Sequence, residues 1–76
     1  MADYGPAWER LKERGKVTLE VEPSMISRVK KGLINKKYKD RAFRAMREDD
    51  YYYLDYHYDR STKRLTVELK RRVGTL

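Results

Sequence analysis

Two runs near the end of the chain alternate between apolar and polar residues, and their pairing constrains the fold more than any other feature. The runs are Tyr51–Asp59 and Arg64–Val73, and residues 60–63 separate them. A period of two is typical of strands that bury one face. Pairing Asp59 with Arg64 makes one face of a hairpin consistently apolar, whereas a shift by one residue mixes the faces. The sequence therefore predicts a hairpin in a single register.

The two faces of this hairpin differ in chemistry. The apolar face pairs Tyr58 with Leu65, Tyr56 with Val67, and Leu54 with Leu69. The other face carries Tyr51, Tyr53, Asp55 and His57 opposite Arg72, Lys70, Glu68 and Thr66. We expect the first face to be buried.

A helix and a strand are predicted in the first third of the chain. The helix runs from Pro6 to Arg14, because proline suits the first helical position and Gly15 suits the residue just past the end. Residues 16–22 then alternate, with three aliphatic residues on one side, and predict a strand.

Residues 24–48 are predicted to form two helices, roughly 24–31 and 36–48. At 100° per residue, the apolar side chains fall on two stripes about a third of a turn apart, so one straight helix buries neither set well. The stripes are Ile26, Val29 and Leu33, then Ile34, Tyr38, Ala42 and Ala45. Gly32 can end a helix and Asn35 can cap the next, which places the predicted break at residues 32–35.

The predicted fold is therefore a small α+β single domain, residues 1–76, with the element order α-β-α-α-β-β and a C-terminal hairpin. This order resembles that of a winged helix, in which the second helix of a helix-turn-helix pair enters the DNA major groove. The resemblance is one of topology alone. The alternative fold is one bent helix packed on a three-stranded antiparallel sheet.

Composition narrows the cellular setting. The chain has no cysteine, which excludes disulfides and thiolate metal sites. It has no long apolar run, and its first residues lack the pattern of a signal peptide, so we expect a cytoplasmic protein, associated with the nucleoid if it binds DNA, and no membrane contact. Its one histidine, His57, cannot build a histidine metal cluster or a Ser-His-Asp triad. No catalytic residue, resident metal or cofactor is predicted.

Positive charge is concentrated in one part of the chain. Residues 24–47 contain nine Lys and Arg against one acid, Asp40, for a segment charge of +8 in a chain of net charge +7. Localised charge of this size is typical of a surface that meets a polyanion. We therefore expect a nucleic-acid-binding module, with duplex DNA favoured over RNA.

The predicted nucleic-acid-binding residues come from the second basic helix and the hairpin turn. They are Lys36, Lys37, Lys39, Arg41, Arg44 and Arg47 of the helix, and Arg60, Lys63 and Arg64 of the turn. Lysines contact phosphates without reading bases, whereas Arg41 and Arg44 can reach guanine edges, so modest sequence specificity is expected. So small a footprint binds weakly alone, which favours a homodimer.

Two further interpretations of the basic surface remain open. In the first, the protein is a non-enzymatic interaction module, such as a regulatory inhibitor or adaptor of a mobile genetic element. Its basic face would then dock on an acidic or nucleic-acid-binding surface of a larger protein. In the second, Tyr51, Tyr53 and His57 stack unpaired bases on the exposed sheet face.

A third pattern, on the two hairpin strands, resembles an enzyme motif. Asp55, followed by Glu68-Leu69-Lys70 on the next strand, is similar to the Asp...Glu-x-Lys arrangement of the PD-(D/E)xK nuclease superfamily. The resemblance implies that Asp55 and Glu68 hold a divalent metal and that Lys70 steadies the developing charge. It covers about a quarter of the chain. In the predicted register Asp55 lies opposite Glu68.

Overall fold

The computed structural model describes residues 4–47 and 52–71. In chain order its elements are α1 (Gly5–Arg14), β1 (Lys16–Glu20), a 3-10 turn (Pro23–Met25), α2 (Ile26–Lys39), α3 (Arg41–Arg47), β2 (Tyr52–Asp59) and β3 (Arg64–Arg71). The predicted α+β class and element order are confirmed. None of these helices is long and apolar enough to cross a lipid bilayer.

The three strands form an antiparallel sheet in the order β1-β3-β2. The hairpin register is the predicted one, with Asp59 opposite Arg64 and Leu54 opposite Leu69. The predicted pair Tyr51–Arg72 lies outside the described residues. β1 pairs with the other side of β3, placing Val17 opposite Val67. The alternation of side chains, together with the position of the turn, was sufficient to predict the register, because a shift by one residue would mix the apolar and polar faces.

The core lies between one face of the sheet and the helices. Its buried residues are Ala7, Trp8 and Leu11 of α1, Val29 and Leu33 of α2, Phe43 of α3, and Val17, Val21, Leu65 and Val67 from the sheet side. Phe43 is in edge contact with two other rings, Trp8 at 5.0 Å and Tyr52 at 5.5 Å between centroids. This aromatic cluster joins α1, α3 and β2.

The predicted helix break at residues 32–35 is wrong. α2 runs without interruption from Ile26 to Lys39, and α3 begins after the single residue Asp40. Asp40 has extended backbone angles, φ −84° and ψ 91°, which end α2 and redirect the chain. The alternative fold, a bent helix packed on a three-stranded sheet, is therefore the one observed. The predicted second helix is divided between α2 and α3.

Gly32 has a packing role rather than the predicted role of ending a helix. It lies in the middle of α2, and a Cβ added there would overlap the ring of Tyr4. Glycine is therefore required for the close approach of this ring, which packs against the core from the start of the described chain. Such an approach depends on residues distant in sequence, so local pattern cannot indicate it.

The predicted inward stripe of Tyr38, Ala42 and Ala45 is also wrong. Tyr38 is 56% exposed, and both alanines are exposed. The bend at Asp40 turns α3 so that Phe43 faces the core instead. In the last turn of α2, the inward position that continues the stripe of Val29 and Leu33 is occupied by Lys37.

The Tyr4–Gly32 contact can be tested by coupled substitution. We expect Gly32→Ala to lower the free energy of unfolding by about 1 kcal/mol, because displacing the Tyr4 ring outweighs the gain in helix propensity. In a Tyr4→Ala background the same change should raise stability by about 1 kcal/mol, since the ring is gone. Urea denaturation of the four chains measures the coupling. Equal effects of Gly32→Ala in both backgrounds would contradict the packing role.

Candidate nucleic-acid interface

A row of polar and basic side chains runs along the exposed side of α2. Arg28, Lys31, Asn35 and Lys39 are spaced three or four residues apart and all are exposed. Residues at this spacing lie on one side of a helix, and here they lie opposite the buried Leu33. We call these four residues the α2 row. A 14-residue helix is about 21 Å long, so the row spans most of that length.

The cations of the α2 row have no acidic neighbour to neutralise them. Arg28, Lys31 and Lys39 form no ion pair with any residue in the ranges 4–47 and 52–71. The single acid of this basic segment, Asp40, is paired with Lys12 of α1 at 2.6 Å. The positive field of α2 is therefore not cancelled by its own segment.

Asp40 is the structural centre of the helical layer. Its Oδ2 accepts hydrogen bonds from Trp8 Nε1 at 2.8 Å and from Lys12 Nζ at 2.6 Å. Its Oδ1 accepts from the backbone N–H of Phe43 at 2.9 Å, the geometry of a helix N-cap. One carboxylate thus ends α2, begins α3 and attaches both to α1.

The surroundings of Asp40 hold its carboxyl in the charged form. The Lys12 ammonium, the Phe43 N–H and the Trp8 indole N–H together lower the pKa of Asp40 from 3.8 to about 2. The same contact with Asp40 raises the pKa of Lys12. The side chain of Asp40 is only 14% exposed, so solvent screens these interactions weakly.

The structure separates the residues predicted for the second basic helix. Lys36, Lys39, Arg41 and Arg44 are exposed, Arg44 with Nη1 3.4 Å from the Tyr38 carbonyl oxygen. Lys37 is only 7% exposed and lies against β2, with its Nζ 5.0 Å from the centre of the Tyr38 ring. Lys37 is therefore not available to a phosphate. The side chain of Arg47 lies outside what the structure describes.

The hairpin turn does not join the Lys36–Arg44 region. The groove beside Arg60 is lined by Pro23 and Ile26, so the turn lies at the first end of α2, whereas Lys36 and Lys39 lie at the last. Lys63 is paired with Glu22 at 3.2 Å.

The remaining cation of the turn has acidic neighbours. Arg64 lies on the open face of the sheet between Asp59 and Glu20, which are its partners on the adjacent strands. Of the three predicted turn residues, only Arg60 lies beside the basic helix.

A groove between α2 and β2 brings Arg60 together with a cation that sequence reasoning left out of the site. The groove has a volume of about 590 Å³, and Lys30, Tyr56 and Arg60 are among its lining residues. Lys30 Nζ lies 4.9 Å from the centre of the Tyr56 ring. The buried Tyr56 hydroxyl has no hydrogen-bond partner among the residues that the structure describes, and desolvation raises the pKa of Tyr56 to about 12.

Sequence reasoning missed four residues of this surface, namely Arg28, Lys30, Lys31 and Asn35. The signal that could have found them was present, because the stripe of Val29 and Leu33 indicates which side of the helix is buried. The helix break predicted at residues 32–35 divided this stripe and placed the predicted site at residues 36–47 instead.

The open face of the sheet is poorly suited to phosphate. It carries the acids Glu20, Asp55, Asp59 and Glu68 together with the cations Lys16, Arg64 and Lys70. Because the charges nearly balance, a base stacked on Tyr53 or His57 would bring its phosphate to a surface without a positive excess. The geometry therefore gives the stacking platform little support.

The residues of the nuclease-like pattern do come together. Asp55 lies opposite Glu68, as predicted, and Lys70 Nζ lies 2.9 Å from Asp55 Oδ2. This ion pair lowers the pKa of Asp55 and raises that of Lys70. Within the ranges 4–47 and 52–71, no group of three His, Cys, Asp or Glu side chains could hold a metal ion. Asp55 is matched to an ammonium group rather than to a cluster of carboxylates.

Comparison with protein-family models, with curated proteins and with solved structures finds no match. The functional proposal below therefore depends on the arrangement of charge and exposed side chains.

The structural role of Asp40 predicts a large effect of its removal. We expect Asp40→Ala to lower the free energy of unfolding by about 2–4 kcal/mol, because α3 loses its cap and the Trp8 indole N–H loses its acceptor. Asp40→Asn keeps an acceptor and a capping residue and should cost about 1 kcal/mol. Asp55→Ala, at an exposed acid, is the control, and a much smaller loss of stability is expected because solvent screens its ion pair. Equal costs for Asp40→Ala and Asp55→Ala in urea denaturation would refute this role.

The lowered pKa of Asp40 also predicts a dependence of stability on pH. A carboxyl whose pKa is depressed by folding contributes stability above its unfolded pKa of 3.8 and loses it as pH falls toward about 2. The loss should approach about 2 kcal/mol. In Asp40→Asn this part of the pH dependence should vanish. Acid titration of both chains, followed by circular dichroism, checks the prediction, and parallel curves between pH 4 and pH 2 would contradict it.

Proposed function

We propose that the protein binds nucleic acid, with duplex DNA preferred over RNA, through phosphate contacts made by the α2 row and the cations beside it. The observation that carries the proposal is the exposed, acid-free line of Arg28, Lys31 and Lys39 along one side of α2. A helix can enter the major groove of B-DNA, where cations on its exposed side lie close to phosphates.

The proposed binding surface includes three cations outside the row. Lys30, on the side of α2 that faces β2, and Arg60 flank the groove between these two elements, and Arg41 begins α3. The six cations of this surface are Arg28, Lys30, Lys31, Lys39, Arg41 and Arg60. If each neutralises one phosphate, affinity should fall about a thousandfold between 50 and 200 mM salt.

Sequence specificity should be modest. Arg28 and Asn35 are two turns apart in the same row, and these side chains can pair with guanine and adenine edges in the major groove. The other members of the surface are mainly lysines, which act on phosphate as point charges. We expect binding to many sequences, with small preferences.

Neutral substitution within the α2 row tests the proposal. We expect Arg28→Gln, Lys31→Gln and Lys39→Gln, combined in one chain, to reduce the slope of log affinity against log salt by about 3. Glutamine keeps helix propensity close to that of the residues replaced, so the fold should persist. Fluorescence anisotropy with duplex DNA, single-stranded DNA and RNA across a salt series measures the slopes.

A matched control removes the same charge elsewhere. Arg14→Gln, Arg64→Gln and Arg71→Gln lie at exposed positions on other elements and should leave the salt slope nearly unchanged. Equal losses in the two triple variants would show that net charge, and not the α2 row, determines binding. Absence of binding to all three nucleic acids at low salt would reject the proposal.

A second candidate function, docking on a larger protein with an acidic surface, has its own support. Ile34, Tyr38 and Tyr53 are the exposed large hydrophobic residues of the described chain, and all three line one groove of about 230 Å³. Tyr38 of this groove directly precedes Lys39, the last cation of the α2 row. Aromatic and aliphatic groups next to uncompensated cations are typical of protein interfaces.

A double variant distinguishes nucleic-acid binding from protein docking. Tyr38→Ser combined with Ile34→Ser should leave phosphate binding within about twofold, because neither side chain carries charge. Failure of wild-type protein to bind any nucleic acid, together with loss of an acidic protein partner in this double variant, would favour protein docking.

Adding magnesium to the DNA samples tests the nuclease-like pattern of Asp55, Glu68 and Lys70. Intact DNA after long incubation would reject nuclease activity.

A further inference from the structure

β1 is an edge strand whose outer side carries backbone groups that the sheet does not use. The strand order places β3 on one side of it only. Val21 N–H donates to the Lys63 carbonyl at 2.8 Å, and the Gly15 carbonyl accepts from Leu69 N–H at 2.9 Å. Backbone groups alternate in direction along an antiparallel strand. Those of Lys16, Thr18 and Glu20 therefore point away from β3.

The side chains of this edge are arranged symmetrically about Thr18. Lys16 and Glu20 are exposed two residues to either side of it, with opposite charges. Their neighbours on β3 are Glu68 and Arg64, yet neither forms an ion pair with a described residue. An antiparallel copy of β1 centred on Thr18 would place Lys16 opposite Glu20, and Glu20 opposite Lys16.

We propose that β1 is a dimerisation edge, pairing antiparallel about Thr18 with β1 of a second copy of the chain. The directions of the backbone hydrogen-bonding groups and the pairing of opposite charges both favour this register. The outward backbone groups of Thr18 face each other across the two-fold axis, and those of Lys16 meet those of Glu20. On the helix-covered side Val17 faces Leu19 of the second copy. This proposal does not rest on nucleic-acid binding.

An apolar groove lies beside the same edge. It has a volume of about 600 Å³, and its lining includes Ala7 of α1, Val17 and Leu19 of β1, and Met25 of the 3-10 turn. A two-fold axis through the strand pair brings the grooves of both copies to the interface. Burial of their apolar lining would add to the backbone hydrogen bonds.

The other edge of the sheet offers no comparable pairing. β2 contains no Lys or Arg, and its open-face charges come from Asp55 and Asp59. No self-pairing of β2 can place a Lys or Arg opposite an acid, and pairing about Asp55 would set like charges together. Charge complementarity thus selects β1.

The dimer would orient the two basic helices together. Antiparallel pairing of two edges has its two-fold axis perpendicular to the sheet, so both helical layers lie on one side of a six-stranded sheet. The α2 rows of both copies would then face the same side, doubling the basic surface available to one polyanion.

Charge reversal tests the pairing. Lys16→Glu and Glu20→Lys each place two pairs of like charges across the two-fold, so each variant alone should dissociate at least about tenfold more readily than wild type. An equimolar mixture should form a heterodimer, because each acid again faces a lysine. Sedimentation equilibrium of the full chains measures the masses, and recovery on mixing shows that both variants are folded.

A backbone variant gives an independent test. Thr18→Pro removes the central outward N–H without removing a hydrogen bond to β3, so it should yield a monomer with a circular dichroism spectrum close to that of wild type. The proposal is overturned if wild-type protein stays monomeric up to millimolar concentration. It is equally overturned if Thr18→Pro or the separate charge variants dimerise as strongly as wild type.

Discussion

The carboxylate of Asp40 is the interaction on which the helical layer depends. This carboxylate accepts hydrogen bonds from the side chains of Trp8 and Lys12 and from the backbone N–H of Phe43. It therefore links α1, the end of α2 and the start of α3. Without this carboxylate, α3 would lose its N-cap, and the contacts to α1 that favour the end of α2 at Lys39 would be lost. The bend it creates turns Phe43 onto Trp8 and closes the core against β2.

The same interaction shapes the electrostatics of the surface. The single acid of the basic segment points inward and is paired with a lysine from α1, so it does not reduce the field on the outer side of α2. A cation such as Lys12 placed on the inside allows the cations outside to remain uncompensated. The lysine that pairs with Asp40 and the exposed cations of the α2 row thus lie on different sides of the helical layer.

The sheet divides its own charges differently. Its open face carries acids and cations in nearly equal number, and its Asp55–Lys70 pair is internally matched. At the β1 edge two opposite charges, Lys16 and Glu20, stand without an ion-pair partner among the described residues. The proposed nucleic-acid surface and the proposed dimerisation edge therefore lie on different elements, and one does not obstruct the other.

The element order and the hairpin register could be predicted from the sequence, because the alternation of Tyr56, Tyr58, Leu65 and Val67 gives the hairpin one apolar face. The concentration of charge in residues 24–47 was likewise evident from composition. These properties are local, or depend on one turn.

The path of the basic segment, and hence the grouping of its cations, depends on contacts between elements that are distant in sequence. From the sequence, Gly32 is expected to end a helix, whereas in the structure it accommodates the ring of Tyr4. Asp40 is expected to be a surface acid, whereas it accepts hydrogen bonds from Trp8 and Lys12. Both roles come from contacts across about thirty residues or more. Helix periodicity describes one element at a time, whereas the bend at Asp40 and the burial of Lys37 follow from packing between elements.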